Sequence, residues 1–122
     1  MLKVIISGSR EYGREEDYLY VKEKYREIIG ERKDIEIVSG HAKGIDALGE
    51  MLARENGYKL SIFPADWNLY GKAAGPIRNS KMARYAKDGV LIAFPKGGSR
   101  GTWNMIKTAR EAGLKVYVFQ RE

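Results

Sequence analysis

The chain has 122 residues, 43% of them apolar, enough for one domain built around one core and too many for a disordered segment. It lacks cysteine and has a single histidine, which excludes disulfides, thiolate metal sites, cysteine nucleophiles and histidine-rich metal centres. Its 22 basic and 16 acidic residues give a formal charge of +6, which suits a nucleic-acid surface, a pocket for a phosphorylated ligand, or a charged surface with no partner at all.

No apolar run reaches the ~18 residues of a membrane helix, so no membrane association is expected. The first residues run straight into a strand pattern, which reads as a chain without a signal peptide. With no cysteine to oxidise, a cytoplasmic location is the expectation.

The first apolar run, at 2–6, reads as a strand and ends in Ser7-Gly8-Ser9-Arg10. A polar loop at 11–17 follows, in a position to cover a ligand. Tyr18, Val21, Tyr25, Ile28 and Ile29 then recur at helical spacing, with Gly30 near the end. A second strand at 35–38 leads into Ser39-Gly40-His41-Ala42-Lys43-Gly44. The next helix is predicted over 45–56, with Ile45, Leu48, Met51 and Leu52 on one face and Gly57 as its stop.

A third strand at 59–63 ends at Pro64. The stretch 65–75 reads as a long irregular loop carrying Trp67, Tyr70 and Lys72, and long loops in compact domains are often functional. Pro76 suits the first turn of a helix that carries Ile77, Met82 and Tyr85. A fourth strand at 90–94 precedes Pro95-Lys96-Gly97-Gly98-Ser99-Arg100-Gly101-Thr102, and a helix is predicted over 103–112. Its small and apolar face is Thr102, Met105, Ala109 and Ala112; Trp103 lies off that face and suits a subunit contact, so a homodimer is one expectation. Gly113 stops the helix, and a fifth strand is predicted over 115–119.

Strands this short and apolar, alternating with helices, imply burial on both faces of a parallel sheet. The predicted fold is therefore α/β: a single domain over 1–122, a three-layer, Rossmann-like, doubly wound five-stranded sheet in the order 3-2-1-4-5. Its switch point lies between the first and fourth strands, where ligands bind outside the carboxyl ends.

Three strand ends carry glycine with a hydroxyl residue, and a glycine-rich turn feeding a helix N-terminus is an anion site, usually for phosphate. The candidate ligand-binding residues are Gly8, Ser9 and Arg10; Ser39, Gly40, His41, Gly44 and Asp46; Arg78 and Asn79; and Gly97, Gly98, Ser99, Gly101 and Thr102. Arg10 and Arg78 are suited to a two-bond grip on phosphate. Trp67 is placed either to stack a base or to pack in a core or dimer contact. Asp46 and His41 are the catalytic candidates, although sequence identifies no partner for His41 as a base, and Asp46 reads more simply as an acceptor for helix amides or a ribose. No Walker motif and no G-x-G-x-x-G after the first strand is present.

These motifs together resemble a known family. Gly8-Ser9-Arg10 and Val38-Ser39-Gly40-x-Ala42-x-Gly44-x-Asp46 resemble the Rossmann-like SLOG superfamily, which joins DNA-processing protein A (DprA) to the Lonely-guy phosphoribohydrolases. Phe63-Pro64-Ala65-Asp66-Trp67, Tyr70-Gly71-Lys72-x-Ala74-Gly75, Arg78-Asn79 and Ser99-x-Gly101-Thr102 are similar to its YspA/YpsA-related branch, often met in phages and mobile elements. The resemblance covers nearly the whole chain. It implies a domain that binds a nucleotide or nucleotide-derived, phosphate-containing ligand, with no cofactor required beyond that ligand.

One departure bears on catalysis. Lonely-guy enzymes resemble P-G-G-x-G-T-x-x-E, whose glutamate acts in N-glycosidic cleavage; here the turn is one residue longer and the glutamate position is Met105, which cannot donate or accept a proton. The leading expectation is a binding or sensing domain. The alternatives are a nucleotide hydrolase acting on an N-glycosidic or phosphate bond, assisted by Asp46 or His41, and DprA-like single-stranded DNA binding, which rests on the +6 charge.

Overall fold

The structure, a computed structural model, describes residues 1–121. Five strands form one sheet: β1 (Leu2–Gly8), β2 (Ile35–Ser39), β3 (Lys59–Ile62), β4 (Val90–Phe94) and β5 (Lys115–Val118). All neighbours pair in parallel and the order is β3-β2-β1-β4-β5, the order expected from the sequence. Four longer helices connect them: α1 (Glu15–Ile29), α2 (Ile45–Asn56), α4 (Ala74–Tyr85) and α5 (Arg100–Glu111), with a single-turn α3 (Trp67–Tyr70) between β3 and α4.

The strand sequences explain the layering. Successive side chains alternate faces. Val4, Ile6, Ile35 and Ile37 therefore pack with Tyr18, Val21 and Tyr25 of α1 and Leu48 and Leu52 of α2. Ile5, Val38, Leu91 and Ala93 pack on the other face with Met82 and Ala83 of α4 and Met105, Ile106 and Ala109 of α5. Each fully buried aliphatic side chain contributes about 1.5–3 kcal/mol relative to exposure. This sandwich, rather than any loop, therefore carries the stability. One buried strand position is charged: Glu36 in β2, whose carboxylate accepts from the Ser61 and Tyr85 hydroxyls with Lys59 Nζ at 3.6 Å.

The sequence reading differs from the fold in several places. Residues 65–75 are not a plain loop: Asp66 caps α3 by accepting the Leu69 N–H at 3.0 Å, a 3-10 turn spans Gly71–Ala73, and α4 starts at Ala74. Pro76 is thus two residues inside the helix, still in the first turn, where a missing N–H costs nothing. α5 begins at Arg100 instead of 103, so the helix end lies inside the glycine-rich stretch. Met51 is exposed, and the buried face of α2 uses Gly49 and Ala53 beside Leu48 and Leu52.

The loop after β1 touches the ligand region through Glu11 and is otherwise tied down by its own contacts. Gly13 and Arg14 N–H groups both donate to Asp17 Oδ2 at 3.0 Å, Arg121 pairs with Asp17 Oδ1, and Tyr12 is buried. No helix among the described residues is long and apolar enough to cross a membrane.

Candidate functional site

The sheet order sends the crossovers in opposite directions from β1 and β4, and a cavity of about 810 Å³ opens at the carboxyl ends of those two strands. Gly8, Ser9 and Arg10 line it from β1, Asp46 from α2, Trp67 from α3, Arg78 and Asn79 from α4, and Gly98, Ser99, Gly101 and Thr102 from the start of α5. The sequence-selected Ser39, Gly40, His41, Gly44 and Gly97 are not in its wall. Lys72, Lys96, Arg100, Asn104 and Glu11 are also in the wall, although none is among the candidate ligand-binding residues read from the sequence. Arg10, Lys72, Arg78, Lys96 and Arg100 against Glu11 and Asp46 give the wall a cationic excess.

The α5 end is built to leave backbone groups available. Ser99 occupies the N-cap position, but its hydroxyl makes no cap bond; it accepts the Lys96 N–H at 3.1 Å. The first-turn amides of Arg100, Gly101 and Thr102 have no carbonyl one turn back. A Cβ added at Gly98 or Gly101 would meet nothing within 4 Å, so the backbone there faces open space. Neither glycine has positive φ; only Gly97 does, at +53°.

The glycines of the second turn have a different reason to be glycine. Gly44 has φ +78°, and a Cβ on it would fall on the Ser9 carbonyl oxygen, far inside van der Waals contact. That close approach lets the Ile45 N–H reach Ser9 O at 3.2 Å and fixes α2 against the end of β1. A Cβ at Gly40 would lie 2.6 Å from Arg78 Nη1. Gly40 therefore makes room for the guanidinium, whose Nη1 donates to the Gly40 carbonyl at 2.5 Å.

Arg78 and Asn79 act as a brace. Arg78 Nε donates to Asn79 Oδ1 at 2.9 Å, while Asn79 Nδ2 donates to Gly101 O at 3.2 Å and to Asn104 Oδ1 at 2.9 Å. Both amide donors of Asn79 are thus used within the protein. Its contribution to the site is to hold the first turn of α5 in place, leaving Arg78 to present the charge. Burial pulls the Arg78 guanidinium down from its usual range, Asp46 opposes that, and the like charge of Arg10 adds to it.

Asp46 sits at the cavity floor, with the Ala42 N–H 3.3 Å from its Oδ2. Burial pushes its carboxyl up to about 6, against the lowering effects of the Ala42 amide, Arg78 and the Gly8 amide. Trp67 is half exposed at 50%, which rules out a core position. Ser9 is nearly sealed, with its hydroxyl accepting the Glu11 N–H at 3.1 Å. Met105 is fully buried in the core.

His41 has a partner that sequence did not supply. Its Nδ1 lies 2.9 Å from Glu50 Oε2, an oxygen that also accepts from Ser39 Oγ at 2.7 Å. Nine residues and a turn separate His41 from Glu50, and a glutamate inside a helix reads as a solvated charge. No local signal marks the pair.

The chain that builds this cavity has relatives in sequence. The model of the "YspA, cpYpsA-related SLOG family" matches residues 2–70. The chain belongs to this family. The match spans the first two of the three strand-end turns, the second of which holds α2 and Asp46 in place. The chain is also 33% identical over 127 residues to the Gene 61 protein of Mycobacterium phage D29, covering 98% of this chain and 97% of that protein. No solved structure matches the chain.

Proposed function

We infer that this SLOG-family chain binds a nucleotide or nucleotide-derived ligand, with phosphate at the carboxyl ends of β1 and β4, as a binding or sensing domain. The observation that carries this reading is the convergence, in one cavity, of the open first-turn amides of α5 with the Arg10 and Arg78 guanidiniums. Helix N-termini and oriented amides favour anions, and guanidiniums add charge-assisted hydrogen bonds. The cavity volume lies within the ~300–1,000 Å³ of small-molecule sites. Trp67, half exposed and in the wall, offers an aromatic face for a base, which inorganic phosphate would not use.

Calorimetric titration with nucleoside mono-, di- and triphosphates and ADP-ribose tests the reading. At least one should bind, and Arg10→Ala should weaken that binding by about 10- to 150-fold, the equivalent of one charge-assisted hydrogen bond of ~1.5–3 kcal/mol. Arg10 is exposed, so its loss leaves the core intact. Unchanged affinity in the folded variant would remove Arg10 from the site.

A further inference from the structure

One cluster of functional groups is not used by ligand binding in the cavity. Glu50, buried in α2, accepts from Ser39 Oγ and from His41 Nδ1 on one carboxylate oxygen, and Arg54 Nη2 lies 3.4 Å from the other. The His41 side chain is 55% exposed. A carboxylate only accepts hydrogen bonds, so the shared proton sits on Nδ1, and the neutral ring then carries a bare Nε2. A buried carboxylate that fixes the tautomer and orientation of an accessible imidazole is the arrangement of a general base.

The backbone supports the same reading. His41 has φ +62°, a conformation that disfavours residues with a Cβ, and its own N–H donates to Ser39 Oγ at 3.0 Å to hold it there. Such strain persists where the surroundings over-determine it, and it concentrates at functional sites. Both chain neighbours of His41 touch the cavity's surroundings: the Gly40 carbonyl accepts from Arg78, a wall residue, and Ala42 is itself in the wall. The His41 backbone therefore adjoins the cavity wall on the β2 side, and its ring is open to solvent.

We propose that His41, oriented by Glu50, is the general base of a hydrolytic activity that cleaves a phosphorus–oxygen bond of the ligand bound in the cavity. The proposal rests on the ligand reading above. Nε2 takes a proton from water as the water oxygen bonds to phosphorus. The bond from phosphorus to the leaving oxygen breaks with its electron pair, and that oxygen takes the proton back from the imidazolium. The Nδ1–H keeps donating to Glu50 Oε2 throughout. Water is the only co-reactant, and inorganic phosphate and the shortened nucleotide or nucleoside are the products.

The choice of bond follows from the groups present. Cleavage at an anomeric carbon is served by a carboxyl group, and the position where one would stand is Met105, sealed in the core. Asp46 is committed to the wall by the Ala42 and Gly8 amides and Arg78. Phosphoryl transfer needs positioning and positive charge around the phosphoryl oxygens, which Arg10 and Arg78 supply.

The test uses His41→Gly, because glycine takes φ +62° without strain and removes only the imidazole. Phosphate release and free-base release from 5′-nucleoside mono-, di- and triphosphates are followed by colorimetry and chromatography, with calorimetric binding on the same preparations. A general base contributes ~10²–10⁴-fold. Wild type should release phosphate from a nucleotide that it binds. His41→Gly should bind that nucleotide within about threefold, lose at least about 100-fold in kcat, and regain part of it with added free imidazole, a response that no loss of structure produces. Wild type that binds nucleotide and yields no product overturns the proposal while the binding reading stands. Release of free base instead of phosphate overturns the bond assignment, and full activity in His41→Gly without response to imidazole overturns His41 as the base. Absence of binding to every nucleotide overturns both readings together.

Discussion

Gly98→Val separates a phosphate cradle from a loop that is glycine-rich for reasons of folding. A Cβ at Gly98 meets no atom within 4 Å, and Gly98 lies outside the left-handed region, so valine encounters neither a clash nor backbone strain in the ligand-free protein. The substitution reduces the freedom of the unfolded chain and should shift stability by no more than about 1 kcal/mol, a melting change on the order of 4 °C in a chain of this size. The same open space is where a phosphate must approach the amides at the start of α5, and two valine methyls would occupy it. Losing even one charge-assisted amide–phosphate bond, at ~1.5–3 kcal/mol, weakens binding about 10- to 150-fold, and displacing the phosphate altogether loses more. Scanning calorimetry and ligand titration on one preparation measure both quantities. Gly97→Ala is the counterpart: with φ +53° it should lose ~1–2 kcal/mol of stability through strain alone. Wild-type affinity in Gly98→Val would refute the cradle, and a melting temperature far below wild type would refute the claim that this turn lies outside the packed core.

Gly44→Ala, at φ +78° with its Cβ on the Ser9 carbonyl, should lose more than about 2 kcal/mol in urea unfolding; a loss under 1 kcal/mol would show that α2 is not held against β1 by that contact. The Asp46 carboxyl, raised from 3.8 to about 6, opposes folding when ionised. Its penalty is absent below the unfolded value and complete above the folded one. The stability of Asp46→Asn relative to wild type should therefore improve by up to about 3 kcal/mol between pH 4 and pH 8, and a difference independent of pH would contradict the burial argument. Arg78→Ala removes a charge that lowers the Asp46 value, so carboxyl ¹³C titration should find Asp46 higher in the variant than in wild type; an unmoved value would mean that the two groups do not interact.

Much of this architecture is legible in the chain because burial on both faces leaves a strong mark. The runs at 4–6 and 90–94 are continuous apolar stretches closed by small residues, and helical spacing between them leaves one sheet order with right-handed crossovers. The cavity position follows from that order alone. What sequence does not carry is why a given polar residue or glycine is present. Gly40 and Gly98 look alike in the chain, yet one makes room for a guanidinium and the other faces open space. Asn79 reads as a ligand contact and spends both its donors on bracing α5. Nothing in the chain marks Glu50 and Glu36 as buried, yet Glu50 accepts from Ser39 and Glu36 from Ser61, a strand away. Residues 65–75 hid a capped turn because Asp66, Trp67 and Gly71 carry loop-like propensities, and a single helical turn leaves no periodicity to detect.

The central claim, that phosphate of a nucleotide-derived ligand sits between the ends of β1 and β4, is tested most directly by mapping amide shifts in ¹⁵N spectra during nucleotide titration. The account predicts saturable shifts concentrated at Ser9, Arg10 and residues 98–102, accompanied by the Trp67 indole. Shifts confined to the opposite end of the sheet, around Tyr25, Lys33 and Tyr58, where a second cavity of about 710 Å³ opens, would contradict it.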